Sequence, residues 1–204
     1  MGRYTGPKWR QSRREGVELR DEGKRALVKR NYPPGIHGPM SARKRLTSYA
    51  KQLREKQKAK RIYGLYEKQF RNLYEKALKI DGDASINIRQ LLESRLDNIV
   101  FRIGWATSRQ QARQLVTHGH IRVNDQKVDI PSYQVKPGMV ISVKESAQKK
   151  AYWVAALPKM KKKNFASSLA YDFATNQVTV TTFPDVEELT APFNTTLIIE
   201  FYSK

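Results

Sequence analysis

Four arginines, Arg95, Arg102, Arg109 and Arg113, have the residue type and spacing to do chemistry, and that chemistry is the capture of phosphate. A guanidinium is planar and always charged, and its fork of donors can hold a phosphate through two hydrogen bonds or stack on an exposed base. Arg95 and Arg102 lie seven residues apart where Leu92, Leu96, Ile99 and Ile103 recur at helical spacing, so the two arginines are expected to project together on a different face. Arg109 and Arg113 lie one turn apart, opposite a stripe of Ala112, Leu115 and Val116. Ser108, followed three residues later by Gln111, reads as a capping box that starts this second helix, with Gly104 and Gly119 as helix stops. Gln110, His118, His120, Asn124 and Tyr133 would add hydrogen bonds or stacking. Taken alone, the same pattern fits any amphipathic helical hairpin of a basic protein whose charges merely face water.

The apolar periods around these arginines set the secondary structure that carries them. A helix from about Asn87 to Gly104 precedes the capped one. The second helix then runs into a strand at Ile121 to Val123, after which come Val128 to Tyr133, Val135, the Pro137-Gly138 turn and Val140 to Val143 in that order. Upstream, a helix starts at Thr47 or Ser48 with Tyr49, Leu53 and Ile62 as its apolar anchors, and a second places Tyr66, Phe70, Leu73 and Ala77 on one face before Gly82 closes it. Downstream, Val178 to Phe183 alternates as a strand, Pro184-Asp185 opens an acidic turn or helix through Leu189, and Leu197 to Tyr202 is too apolar to be left in water. The basic run Lys159 to Lys163 reads as a loop facing water, with phosphate contact as the alternative. Residues up to about 46 have dense arginine and no apolar period, so they are expected to form an extended arm that orders on a partner.

Composition points the same way. The 39 Lys and Arg against 19 Asp and Glu give a net charge of +20, expected of a chain that works against a polyanion. That charge is uneven: residues 1–63 hold 19 Lys or Arg and 5 acids, whereas residues 170–204 hold 1 Lys and 5 acids. The arm and basic helix supply a second set of candidate nucleic-acid contacts, Arg3, Arg10, Arg13, Arg14, Arg54, Lys56, Lys58 and Arg61. A membrane-surface role competes, but no stretch approaches the roughly 18 apolar residues of a span, and no apolar leader follows Met1, so a cytosolic location is expected. With no cysteine, disulfides, thiolate nucleophiles and cysteine zinc sites are all excluded. No phosphate-binding Gly-rich loop or nucleophile elbow occurs, and the histidines are only His37, His118 and His120. We therefore expect neither an enzyme nor a metal or cofactor. Glu187-Glu188 reads as a solvated or partner-facing acidic patch rather than a catalytic dyad.

The segment from Arg95 to Val143 resembles the small RNA-binding module named after small-subunit ribosomal protein four. The resemblance extends along nearly the whole chain: MGRYTGPKWRQSRREGVEL, YPPGIHG, QLREKQKAKRIYG, KQFRNLYEKA and LIIEFYSK are similar to segments of that bacterial ribosomal protein family, in its order and spacing, with residues 144–194 the weakest match. The resemblance implies an α+β fold: a basic arm over 1–46, a helical domain over 47–94 completed by about 184–204, the inserted RNA-binding module over 95–157, and a basic linker with a strand over 158–183. It implies direct binding to small-subunit rRNA in the 5′ domain, nucleation of the 30S body, a monomer within the ribosome, and a cytoplasmic location in that subunit. It also implies contact with small-subunit ribosomal protein five that bears on translational accuracy, for which Glu187, Glu188, Phe201 and Tyr202 are candidates. Arg43, Lys44 and Arg45 are candidates for the mRNA entrance. Some family members hold zinc in the arm, starting from a C-x-x-C where this chain has Trp9 and Ser12, so here the arm must be ordered by RNA, by packing of Trp9 and Tyr32 and by hydrogen bonding from residues such as Arg13 and Arg14. A second departure is Met139, where many versions of the module place an aspartate. Related modules also occur in pseudouridine synthases and tRNA synthetases, but those need a catalytic domain that the remaining residues do not supply. An RNA chaperone, a translational repressor and a DNA-binding helix-turn-helix protein remain as rivals.

Overall fold

The computed structural model of the chain describes residues 4–19, 24–41, 45–160, 165–184 and 192–203. The chain forms two compact units, one of Met1–Ile88 with Ala191–Lys204 and one of Arg89–Thr190. Among the described residues, helices and a five-stranded antiparallel sheet give an α+β fold.

The first unit holds helices α1 (Lys8–Glu15), α2 (Lys24–Lys29), α3 (Gly38–Ser41), α4 (Ser48–Ile62), α5 (Glu67–Leu78), the start of α6 (Ala84–Glu93), and the last helix of the chain, α11 (Thr195–Tyr202). The Thr47 hydroxyl caps α4 by accepting the Ala50 amide hydrogen at 3.2 Å. The buried stripe of α4 differs from the apolar one expected. It is Gln52, Lys56, Ala59 and Ile62, while Tyr49 stays 56% exposed. The reason is α11, which packs along α4 and supplies polar partners. Gln52 donates to Glu200 at 2.8 Å, and the Lys56 ammonium sits 4.4 Å from the Phe201 ring centroid. Polar side chains tolerate burial when paired in this way.

Helix α5 buries Phe70, Tyr74 and Ala77 but ends at Leu78 with Lys79 as its cap, so Gly82 lies in the following turn rather than closing the helix. Asn87 explains the early stop. Its amide donates to the carbonyls of Ala77, Ile80 and Asp81 at 2.9–3.4 Å, occupying acceptors that a continuing helix would need.

The arm is more structured than an extended segment. Helix α1 packs on α2 and α4 and buries Ser12, Glu15 and, beyond its end, Leu19. The Glu15 carboxylate is enclosed by Arg54 and Arg61, so acid–base pairing supplies the anchoring that the apolar pattern lacked. Arg13 donates to the carbonyls of Tyr32 and Pro33 and lies 4.8 Å from the Tyr32 ring centroid. Gly38 closes the YPPGIHG turn, where a Cβ would sit 2.0 Å from the Pro33 carbonyl oxygen.

The second unit holds the rest of α6, then α7 (Leu96–Ile103), α8 (Arg109–Thr117), β1 (Ile121–Val123), β2 (Gln126–Lys127), β3 (Val140–Val143), α9 (Glu145–Gln148), α10 (Ala151–Met160), β4 (Leu169–Asp172) and β5 (Gln177–Val180). The sheet order is β2-β1-β3-β5-β4, antiparallel throughout. Helices α7 and α8 pack against each other and share a core with the sheet that includes Leu96, Ile103, Trp105, Val116, Ile121, Ile141, Trp153 and Val178. The helix expected to run unbroken from Asn87 to Gly104 is interrupted at Ser94-Arg95. There the backbone pairs with an extended segment instead: Val135 donates to the Ser94 carbonyl, and Leu96 and Asp97 donate to those of Tyr133 and Pro131. The run Lys159 to Lys163 is also not simply a loop, because Lys159 and a buried Met160 end α10; Lys161 to Lys163 lie outside the described residues.

Candidate nucleic-acid interface

The break between α6 and α7 sets the geometry of the arginine face. By leaving the helix at Ser94 and resuming it at Leu96, the chain places Glu93, Asp97 and Asn98 where they meet all four arginines. Arg95 donates through Nε and Nη2 to the two oxygens of Asp97 at 3.1 and 2.8 Å. Arg113 approaches the same carboxylate at 3.6 Å. Arg102 forks onto Glu93 at 2.9 and 3.0 Å. Asn98 donates to Glu93 at 2.7 Å and accepts from the Arg109 Nε at 2.8 Å, while the Arg109 guanidinium lies 4.6 Å from the Phe101 ring centroid.

This differs from the expected pair of exposed guanidinium groups on α7. Arg95 precedes the helix, is only 5% exposed, and is held in a buried ion pair; Arg102 keeps a 38% exposed side chain. A charge removed from water needs a close partner, and Asp97, two residues on, provides it. Arg109 and Arg113 are half-buried and project from one side of α8. Four guanidinium groups meet two carboxylates, leaving a surplus of two positive charges in a cluster held by hydrogen bonds and ion pairs. The acceptors Glu93, Asp97 and Asn98 were not singled out from sequence; their signal was the alternation of acids and arginines in ESRLDN.

The N-terminus of α8 carries the expected cap with a shift of one residue. Ser108 accepts the Gln111 amide hydrogen at 3.3 Å, but the Gln111 side chain reaches back to the amide and hydroxyl of Thr107, both at 2.8 Å. Gln110 and His118 are exposed. His120 is half-buried, and its Nδ1 accepts the Trp153 indole hydrogen at 2.9 Å. Burial, then the nearby Lys150, His118 and Lys144, lower its pKa, which favours the neutral acceptor. Asn124 is committed to the sheet, accepting the Val140 amide hydrogen at 2.9 Å. The Met139 sulfur lies 3.4 Å from the Lys136 nitrogen and 4.0 Å from the Tyr133 hydroxyl, so in this turn a thioether takes the acceptor role.

The second candidate set is largely engaged within its own unit. Arg54 and Arg61 hold Glu15, and Lys58 pairs with Glu55 at 2.6 Å. Lys56 is 5% exposed and donates to Glu67 at 2.7 Å, a structural position rather than the exposed one expected. Arg10, Arg14 and Arg45 are exposed, as is Trp9, whereas Ser12 is buried. Phe201 and Tyr202 are half-buried: Phe201 lies 5.6 Å from Tyr49, and Tyr202 stacks on Tyr74 at 4.7 Å. Arg3, Arg43, Lys44, Glu187 and Glu188 lie outside the described residues.

Comparison with known proteins is consistent along the whole chain. Residues 3–93 match the family model of the ribosomal protein S4/S9 N-terminal domain, and residues 94–141 match the S4 domain. The chain is 48% identical to small ribosomal subunit protein uS4 of Lactococcus lactis subsp. lactis over 205 residues, covering 100% of this chain and 99% of that protein. It is 49% identical to the uS4 proteins of Geobacillus sp. (strain WCH70) over 205 residues and of Thermus thermophilus over 210, covering 100% of both partners in each comparison. With its helical first unit, its sheet-bearing second unit and this likeness from end to end, the chain belongs to the uS4 family of small ribosomal subunit proteins.

Proposed function

We propose that this chain is a non-enzymatic, structural protein of the small ribosomal subunit that binds small-subunit rRNA directly in its 5′ domain and nucleates assembly of the 30S body. The observation that carries the reading is the arginine network of the second unit, in a chain similar over its full length to uS4 proteins. Helices of RNA packed at a junction bring phosphates close together, and Lys and Arg relieve that repulsion by displacing counterions. The wide, shallow minor groove of A-form RNA and its unstacked bases offer phosphate, 2′-hydroxyl and stacking contacts. Arg102, Arg109 and Arg113 supply the guanidinium groups, and Gln110, His118 and His120 the neighbouring polar groups, while the buried Arg95 shares the Asp97 carboxylate with Arg113. Arg10 and Arg14 of the arm add phosphate contacts.

By the same reading the protein is a monomer within the cytoplasmic 30S particle. It contributes to translational accuracy by touching small-subunit ribosomal protein five, through the segment holding Glu187 and Glu188 and the helix ending in Phe201 and Tyr202. Arg43, Lys44 and Arg45 are this reading's candidates for the mRNA entrance.

Filter binding of the purified chain to the isolated 5′ domain tests the primary role, with unrelated structured RNA and duplex DNA as competitors at physiological salt. Binding to the 5′ domain that survives both competitors is the expected result. Equal affinity for all three would reduce the chain to a general polyanion binder.

A further inference from the structure

We infer that Glu93, Asp97 and Asn98 are positioning residues of the RNA face, which give up part of its positive charge to make it selective for RNA shape. The inference rests on the RNA-binding reading above. A surface evolved for charge alone has no use for two carboxylates among four arginines, since each cancels one cation and weakens attraction to phosphate. Both carboxylates and the amide are nonetheless buried, Asn98 almost completely. Desolvating them is unfavourable unless geometry compensates.

The geometry is specific. Glu93 receives Arg102 through two parallel hydrogen bonds, which fixes the plane of the guanidinium as well as its place. Asn98 donates both to the Glu93 carbonyl at 3.0 Å and to its carboxylate at 2.7 Å, which orients the amide so that its oxygen faces Arg109. Arg109 is pinned from a second side by Phe101. Asp97 repeats the arrangement, fixing Arg95 through a fork and drawing in Arg113. The result is a chain, Arg102 to Glu93 to Asn98 to Arg109, rooted in one short segment of backbone. An arginine held before RNA arrives loses less rotamer freedom on binding, and donor directions set in advance suit only RNA whose phosphates match them.

Charge and position predict opposite outcomes, so isosteric neutralisation separates them. Glu93→Gln and Asp97→Asn each raise the net charge by one, while Arg102→Lys keeps the charge and removes the fork. Each full-length variant is titrated with the 5′ domain and with unrelated structured RNA across a salt series, and its thermal unfolding is recorded. The expected result is that all three lose about tenfold of the preference for the 5′ domain, with affinity for unrelated RNA unchanged or, in the two neutralised variants, higher. An unchanged preference, or equal tightening toward both RNAs in the neutralised variants, overturns the inference. If Asp97→Asn does not fold, Glu93→Gln and Arg102→Lys decide the matter on the same criterion. A parent chain with no preference for the 5′ domain removes the RNA reading itself and this inference with it, a result visible before any variant is compared.

Discussion

Tyr202 donates its hydroxyl hydrogen to Oε1 of Glu67 at 2.9 Å, joining the last helix of the chain to the first turn of α5. The same carboxylate accepts from Lys56 at 2.7 Å and Lys60 at 3.0 Å. Burial raises the Glu67 pKa, but the hydrogen bonds from Lys56, Lys60 and Tyr202 outweigh it and hold the carboxyl down at about 2. A carboxyl bound more weakly to its proton in the folded state contributes stability above its ordinary value of 4.5 that is lost as pH falls toward 2.

Glu67→Gln should therefore destabilise the chain near neutral pH and lose most of that effect in acid. The side chain is 47% exposed, and solvent screening keeps the expected difference to about 1 kcal/mol. Urea titrations of both proteins at neutral pH and near pH 3 check this. An equal difference at both pH values would show that the carboxylate charge is not what matters.

Ser108→Ala should cost about 1 kcal/mol, because the Gln111 amide loses its acceptor at the start of α8. Gln111→Ala should act separately by releasing Thr107. Thermal unfolding measures both, and in RNA binding Ser108→Ala should also weaken the contacts of Arg109, which opens the same helix.

The β1–β2 hairpin turns through Asn124 and Asp125 at φ 47° and 62°, the left-handed pair of a tight two-residue turn. Asp125→Gly should be neutral or stabilising by about 0.5 kcal/mol, since glycine meets this conformation without a steric penalty. Asn124→Ala should destabilise by about 1–2 kcal/mol, because it adds backbone strain and removes the acceptor of the Val140 amide. Chemical denaturation ranks the two, and the reverse order would contradict this account of the turn.

His120 should make the second unit sensitive to mild acid. Its folded pKa lies below the ordinary 6.5, so the stability it contributes is present above 6.5 and lost as pH falls below that value. Protonation of Nδ1 removes the acceptor of the Trp153 indole hydrogen. Tryptophan fluorescence titrated from about pH 7.5 to 5 should show a transition assignable to Trp153, absent in His120→Gln and in Trp153→Phe.

Replacing Arg109 and Arg113 together with alanine should weaken binding to the 5′ domain and flatten its dependence on salt. Removing one phosphate partner lowers the slope of log affinity against log salt by about 0.7 to 0.9. A parallel salt plot at lower affinity would mean that these arginines act by shape alone.

Most local structure of α8 was legible from neighbouring residues alone. Ala112, Leu115 and Val116 set the buried face of α8, Ser108 its start and Gly119 its stop, because helix period and capping depend on residues within one or two turns of each other. Full-length likeness to a known family was legible in the same way, from the order and spacing of short segments. Where the charges end up was not legible in the same way, because it depends on contacts between elements. Lys56 is buried because Glu67 of α5 and Phe201 of α11 meet it there. Glu15 is enclosed because Arg54 and Arg61 come to it from α4, and the helix through Arg95 breaks because its backbone pairs with Tyr133 and Val135. A lysine or arginine reads the same in sequence whether it faces water, phosphate or a carboxylate. Which of these it meets depends on long-range neighbours, and on desolvation that favours a buried charge only where the fold supplies a counter-charge or an acceptor.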